Sequence, residues 1–374
     1  MIKLYRIKDY DFKLIVFVVA LSVIGIFAVS SANASYHNRQ IMGVVLGVFL
    51  MLVVSFFDYN IILKFYWVIY VANIILLTLV RIQGARSHGA TRWLNIGGFQ
   101  FQPSETAKIM MIMFFAAFFM KYSEELKNFR FFIIAVALFA PIFYLIYSQP
   151  DMSTSIVIVL LFAILFFEAG ISWKVVLGVL AVAVPTFIIL LMMILQSDQA
   201  IINDYQQDRI LAFLNPEEYT TSGAYQQNNS VMAIGSGQLM GKGYNSDEIN
   251  SVKNGNFISE PQTDFIFAVI GEEFGFIGTC TVILLLIFIS IECIIIAKRS
   301  KDLAGLVIAA GMGSLIAIQG FLNIGVATQL VPNTGLPLPF VSYGLTSLVS
   351  LYIGIGLVLN VRLQCNIRTR EGIS

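Results

Sequence analysis

The sequence predicts an all-α integral membrane protein, with ten helices crossing a bilayer and both ends of the chain on the same side. Three observations predict it. Of 374 residues, 58% are hydrophobic and only 12% are charged, whereas a soluble domain carries about 25% charged residues. The apolar residues fall into separate runs of the length that ~30 Å of hydrocarbon demands, roughly 17–25 helical residues. Lysine and arginine gather in alternate connections between those runs, the bias that marks cytoplasmic faces. The net charge of +1 gives no sign of a nucleic-acid partner.

Taken in order, spans are expected near Leu14–Ser31, Ile41–Phe57, Phe65–Val80, Ala107–Met120, Phe131–Tyr147, Ser153–Phe167, Val175–Leu195, Phe274–Ala297, Leu303–Thr328 and Leu345–Val361. The fourth and sixth are short, so they are either tilted partners or extend into the flanking polar residues. The charged start of the chain leads into a first span rather than a cleaved signal, because more spans follow it. Lys3, Arg6, Lys8 and Lys13 precede the first span, and Arg362, Arg368 and Arg370 follow the last. Lys64, the group Lys121, Lys127 and Arg130, then Lys174, and the group Lys298, Arg299 and Lys301 occupy the even-numbered connections. These faces are therefore expected to be cytoplasmic, and residues 1–374 read as one polytopic domain. Cys280, Cys293 and Cys365 have no spacing that suggests a disulfide frame or a zinc site.

Three outward connections are unusual. Arg81–Thr106 places Arg81, Arg86 and Arg92 on the outer side, against the charge bias, and an anionic ligand would account for them. Residues 196–263 form a polar stretch far longer than an ordinary connection, with an amphipathic helix over Ile201–Leu214 that Asn215-Pro216 ends. Its segment G-S-G-Q-L-M-G-K-G, Gly235–Gly243, fails as a phosphate loop: Ser236 stands where the first glycine belongs and Gly243 where Ser or Thr would hold magnesium. Tight turns are expected there instead. The last outer connection carries Pro332, Pro337 and Pro339 with Gly335 and Gly344. Irregular backbone at membrane depth is tolerated only when it is buried in protein or lines a cavity, so a polar outer cavity is expected.

Carboxylates at a membrane boundary are functional candidates by default. Asp264, in S-E-P-Q-T-D-F-I-F-A-V-I-G-E-E-F-G-F-I-G (Ser259–Gly278), is followed by a wholly apolar run. It reads either as a helix-start residue satisfying free N–H groups or as a reactive base at the rim of a low-dielectric region, with Thr263 beside it. Glu105 and Lys108 lie three apart and share a helix face, after Gln102-Pro103-Ser104. They read either as an internal salt bridge or as a pair that keeps a cavity polar and positions another charge. Asp151 in Q-P-D-M-S-T is a helix cap or a ligand contact. Glu272 and Glu273 read either as further functional carboxylates or as solvated residues at the outer interface, with Gly271 and Gly275 giving close packing. His37 and His88 are isolated.

G-A-T-R-W-L (Gly89–Leu94), F-Q-P-S-E-T-A-K (Phe101–Lys108), Q-P-D (Gln149–Asp151), E-P-Q-T-D-F-I-F with G-E-E-F-G, and G-L-P-L-P-F-V-S-Y-G (Gly335–Gly344) occur in that order along the chain. Together they resemble the shape, elongation, division and sporulation (SEDS) family of RodA-, FtsW- and SpoVE-type proteins. The chain departs from the usual S-Y-G-G-S-S with Ser342-Tyr343-Gly344-Leu345-Thr346-Ser347. The resemblance implies a glycosyltransferase that polymerises lipid II outside the cytoplasmic membrane. It implies Asp264 as the essential acid, supported by Glu105 and Lys108. It also implies a class B penicillin-binding protein (a transpeptidase) as partner and a divalent cation, Mg2+ or Mn2+, as cofactor. Arg86, Arg92, Gln102, Ser104, Asp151, Thr263 and Ser342 are the expected substrate contacts. No spacing specifies metal ligands; Asp264, Glu105 and Glu272 are the oxygen donors at hand. Chemistry agrees with one base rather than two carboxylates: a sugar pyrophosphate already has a good leaving group, so inverting transfer needs cations more than a protonating acid. A lipid II flippase and a non-catalytic scaffold for a transpeptidase are the rival classes. The short basic tail and the short N-terminal segment lean toward a RodA-like role in elongation over division or sporulation.

Overall fold

The computed structural model describes residues 9–87, 90–96, 99–149, 151–178, 181, 185, 192–193, 204–214, 223–245 and 257–370. Most of the expected seventh span lies outside these, as do His88, Gly89, Pro150 and Asn215-Pro216. The chain folds into helices α1 (Phe12–Ala32), α2 (His37–Phe56), α3 (Tyr59–Leu63), α4 (Tyr66–Gln83), α5 (Pro103–Lys121), α6 (Phe129–Tyr147) and α7 (Met152–Glu168). After these come α8 (Asp204–Leu214), α9 (Gly223–Ser236), α10 (Ile266–Lys298), α11 (Leu303–Ala327) and α12 (Leu345–Arg370).

Among the described residues, eight helices are long and apolar enough to cross a membrane, and α7 is a shorter apolar one. The expected ten spans are thus represented by nine helices here. The fourth expected span lengthens to Pro103–Lys121 because Pro103 suits the first helical turn and Glu105 is buried within it. Asp11, Asp151 and Asp302 each accept a backbone N–H at the start of α1, α7 and α11, which satisfies donors that a helix start leaves free.

One feature corrects the all-α expectation. Strands β1 (Ala85–Ser87), β2 (Ala90–Ile96) and β3 (Phe99–Phe101) form an antiparallel sheet in the order β1-β2-β3. His88-Gly89 and Gly97-Gly98 stand between the strands, the kind of two-residue connection that hairpins favour. The sheet leads directly into α5, which packs against α4, α7, α11 and α12. Most of α5 is buried, including a run of aromatic side chains, Phe114, Phe115, Phe118 and Phe119. α2 lies along α12, and α1 along α10. At the end of the bundle away from the sheet, a polar knot ties α3, α11 and α12. Tyr59 Oη donates to both oxygens of Asp302 at 2.8 Å, Asn360 Oδ1 accepts from Tyr59 N at 3.0 Å, and Gln364 donates to Asp58. Desolvation alone would raise the Asp58 pKa, but bonds from Gln364 and Asn60 and the Lys301 charge outweigh it and hold the carboxyl below its ordinary value. That contribution to stability is full above the unfolded pKa and is lost as pH falls through the lower folded one.

α10 begins at Ile266, well before the expected Phe274, and breaks at Gly275 (φ 64°, ψ −158°). The Gly-rich segment fills the break. Lys242 N and Gly243 N donate to Glu272 O and Glu273 O at 2.9 and 3.1 Å, while Phe276 N and Ile277 N donate to Gln238 O and Leu239 O at 2.8 and 3.2 Å. The tight turns expected of Gly235–Gly243 are present, and their backbone replaces the bonds that the helix gives up. A Cβ on Gly275 would lie 2.4 Å from Gly241 N, and its dihedrals belong to a region that only glycine occupies at low cost. Gly275→Ala is therefore expected to destabilise the fold by about 1–3 kcal/mol or more, read as a lowered melting temperature of the detergent-purified protein. An unchanged melting temperature would contradict the clasp.

Candidate active site

Between α11 and α12 the chain reads Q-L-V-P-N-T-G-L-P-L-P-F-V-S-Y-G. Proline has no N–H to donate and cannot continue a helix, so the backbone here needs partners from elsewhere. Asn323, near the end of α11, supplies two: its Nδ2 donates to Leu336 O at 2.7 Å and to Asp264 O at 2.8 Å. Ser342 Oγ donates to Thr263 O at 2.6 Å and accepts from Leu338 N at 2.8 Å, and Tyr343 N donates to Gln262 O at 2.9 Å. The segment before α10 and the Pro-rich segment before α12 are thus sewn together. Ser342 and Thr263, two of the expected substrate contacts, lie in this seam. The Thr263 hydroxyl turns back to Glu260 O at 3.0 Å, and the position before α10 is Phe265, which makes no side-chain capping bond.

Three consecutive residues of the Pro-rich segment then meet groups from three other elements. Asn333 O accepts from Arg209 Nη1 of α8 at 3.3 Å. Thr334 O accepts from Ser153 Oγ at the start of α7. Gly335 has φ +67°, and the point a Cβ would occupy lies 3.1 Å from Asp264 Oδ2 and 3.8 Å from Arg209 Nη1. A carboxylate and a guanidinium therefore flank one glycine. Asp151, just before Ser153, caps α7 through Thr154 N at 3.1 Å and Thr154 Oγ1 at 2.9 Å. The same carboxylate faces Arg92 Nε of β2 at 3.8 Å, so it caps a helix and meets a cation at once. Arg86 lies on β1, in register with Thr91; its side chain is outside the described residues. Arg81 stacks on the Tyr144 ring at 5.4 Å.

Glu105 and Lys108 share a face of α5, as their spacing predicts: Nζ donates to Oε1 at 2.7 Å, with the two side chains 2% and 1% exposed. Charges buried this deeply are tolerated only when paired. Ser104 is buried beside them. Gln102 N donates to Thr346 Oγ1 at 3.3 Å and Thr106 Oγ1 lies 3.2 Å from Ser350 Oγ, closing the start of α5 on α12. Glu272 and Glu273 depart from expectation: both are buried, not solvated. Lys242 Nζ pairs with Glu272 Oε1 at 3.0 Å and Ser31 Oγ donates to Glu273, so the loop that fills the helix break also neutralises it.

Among the described residues, no three His, Cys, Asp or Glu side chains come together. With Glu105 facing Lys108 and Glu272 facing Lys242, the donor set fits a hard cation only where a ligand's oxygens complete the shell around Asp264. Arg209 is the group that sequence reasoning missed. It stands among Y-Q-Q-D-R-I on an amphipathic helix, where nothing local separates it from an ordinary solvated arginine. What the arrangement offers is a carboxylate able to take a proton, with guanidinium groups placed for an anion.

The chain matches the FtsW/RodA/SpoVE description of cell cycle proteins over residues 9–367. It is 32% identical over 373 residues to a probable peptidoglycan glycosyltransferase FtsW of Wigglesworthia glossinidia brevipalpis, covering 96% of this chain and 94% of the relative. It is 34% identical over 342 residues to the peptidoglycan glycosyltransferase MrdB of Escherichia coli K12, covering 91% and 89%. Among solved structures, it superimposes on a chain from work on polymerization and crosslinking by a peptidoglycan synthase complex, with TM-score 0.77, 25% identity and coverage of 95% and 98%. The Thermus thermophilus rod shape determining protein RodA shares the fold at TM-score 0.67 and 24% identity, covering 94% and 96%.

Gly335→Ala tests the junction directly. A non-glycine residue in the left-handed region costs about 1–2 kcal/mol, and here the added methyl also presses on the Asp264 carboxylate. A lower melting temperature than wild type is expected, and an equal or higher one would contradict the described contact.

Proposed function

The chain belongs to the FtsW/RodA/SpoVE family, and on that premise we propose that it is a peptidoglycan glycosyltransferase polymerising lipid II into glycan strands at the outer face of the cytoplasmic membrane. Its FtsW and MrdB relatives are named peptidoglycan glycosyltransferases. The observation that carries the chemistry is the junction at Asn333-Thr334-Gly335, where Arg209, the start of α7 and Asp264 converge.

In this reading Asp264 takes the proton of the acceptor sugar's 4-hydroxyl. The freed oxygen attacks the anomeric carbon of the donor as its bond to the lipid pyrophosphate breaks, and the configuration inverts. Arg209, at the junction, and Arg92, facing Asp151, would receive the leaving pyrophosphate's charge, with Arg86 on β1 as a third candidate. Lys108, closed on Glu105, sets the field behind the site rather than touching the leaving group. Gln102, Ser104, Asp151, Thr263 and Ser342 are the proposed substrate contacts around it. A divalent cation, Mg2+ or Mn2+, held from the protein side by Asp264, would add charge neutralisation at the pyrophosphate.

The reading extends to topology and partners. Ten spans, the seventh within Val175–Leu195, put both ends of the chain in the cytoplasm and the 196–263 connection outside, in keeping with the lysine and arginine distribution. The partner is a class B penicillin-binding protein that crosslinks what this chain polymerises. The structural likeness to a component of a synthase complex supports this.

Broken helices also mark transporters, but there the key charges sit near the bilayer midplane. Here they gather where α5, α7 and α10 begin. The purified protein with its transpeptidase, given lipid II and Mg2+ or Mn2+, is expected to make glycan chains. Asp264→Asn is expected to lower that rate about a hundredfold or more while leaving the melting profile folded. Wild-type polymer from a folded Asp264→Asn protein would remove Asp264 as base. Scrambling of labelled lipid II in liposomes without polymer would replace the enzyme by a flippase.

A further inference from the structure

One buried polar residue has no part in this mechanism. Gln319 in α11 is fully buried, and neither its Oε1 nor its Nε2 has a hydrogen-bond partner among the described residues. A primary amide offers two donors and two acceptor lone pairs, and native interiors rarely leave such groups unmatched; where protein does not match them, ordered water does. Three further buried atoms share the condition: Ser104 Oγ on α5, Asn73 Oδ1 on α4 and Asn323 Oδ1 on α11.

Their positions converge. The point a Cβ would occupy on Gly311 of α11 lies 3.2 Å from Ile112 of α5, and Ile109 and Met312 meet at Gly354 of α12. α5 starts where α11 ends, because Gln102 bonds Thr346 at the start of α12 and Asn323 bonds Leu336 in the segment leading to it. The two helices are therefore antiparallel. Two helical turns, about seven residues, lead outward from Ile112 to Glu105 and from Met312 to Gln319. Gln319 thus stands level with the buried Glu105–Lys108 pair, on the facing stripe. Ser104 adjoins that pair in sequence, and Asn73 Nδ2 donates to Ala107 O at 3.3 Å beside it. One turn beyond Gln319 is Asn323, whose amide holds the backbone of Asp264. The Lys108 ammonium has three protons, and one of them goes to Glu105.

We propose that Gln319 is a positioning residue: with Ser104, Asn73 and Asn323 it walls a hydrated chamber around the Glu105–Lys108 pair, and its water-bridged amide holds that pair in register with Asp264. The proposal rests on the glycosyltransferase reading above for its effect on catalysis, but not for the chamber itself. The polar wall selects water over a dry void, since apolar cavities are the ones that stay empty. Through Asn323 the same helix face carries the chamber at one turn and the base's backbone at the next. A shift of the ion pair is thereby a shift of the field at Asp264.

Gln319→Met keeps the side-chain volume and removes both polar atoms. In the full-length protein with its transpeptidase, its kcat for lipid II polymerisation is expected to fall between about tenfold and a hundredfold, with KM within about twofold. Gln319→Asn, which keeps the amide and leaves room for one more water, is expected to recover most of that loss. A readout without substrate accompanies these. Melting temperatures of Gln319→Met, Lys108→Met and the double variant should combine non-additively if one chamber joins the two residues. Wild-type kcat in Gln319→Met, or strictly additive melting shifts, overturns the proposal. If the wild-type protein makes no polymer, the glycosyltransferase reading falls, and the melting cycle alone decides the chamber.

Discussion

Backbone that leaves a helix inside an apolar layer must find its hydrogen-bond partners within the protein, since lipid offers none. That constraint shapes the end of this molecule that holds Asp264. The chain leaves regular helix twice among its most buried elements, at Gly275 in α10 and between α11 and α12. Each departure is met by a second segment: residues 238–243 at the first, and Asn323, Ser342 and Tyr343 at the second. Asp264 lies between the two repairs. Its backbone is held directly by the second of them, through the bond from Asn323 to its carbonyl.

Charge follows the same logic. Glu105 and Lys108 are buried together on one helix face, Asp151 meets Arg92 while capping α7, and Glu272 meets Lys242 across the clasp. Each acid that could compete with Asp264 for a cation or a proton thus has a partner supplied by the fold. This is how several carboxylates can stand in one region of an apolar fold with their charges met from within it. A burial that would be prohibitive for a lone charge becomes tolerable for a pair, and breaking a pair costs more than never having had it.

Much of this was legible in the sequence. Apolar run length located nine of the described helices, because span length is fixed by hydrocarbon thickness, and the three-residue spacing of Glu105 and Lys108 put them on one face. The sheet escaped because two of its three strands have only three residues, too short for any periodicity to register, although Gly97-Gly98 and His88-Gly89 carried the turn signal. The start of α10 was misplaced because Glu272 and Glu273 look solvated until Lys242 and Ser31 are brought to them from distant parts of the chain. Arg209 was invisible for the same reason: its contact at Asn333 spans 124 residues. Local pattern encodes elements, whereas the site is made of pairings between them.

The clasp at Gly275 also bears on how such proteins can be recombined. The 196–263 connection looks like a detachable module, polar and flanked by apolar sequence. Yet its backbone supplies the hydrogen bonds of a helix that follows it in sequence, through glycines that interlock too closely for side chains. The transplantable unit is thus residues 223–278 together, not the loop alone. A chimera joined at the apparent membrane boundary would pair one protein's broken helix with another's clasp and leave several peptide groups stranded in lipid.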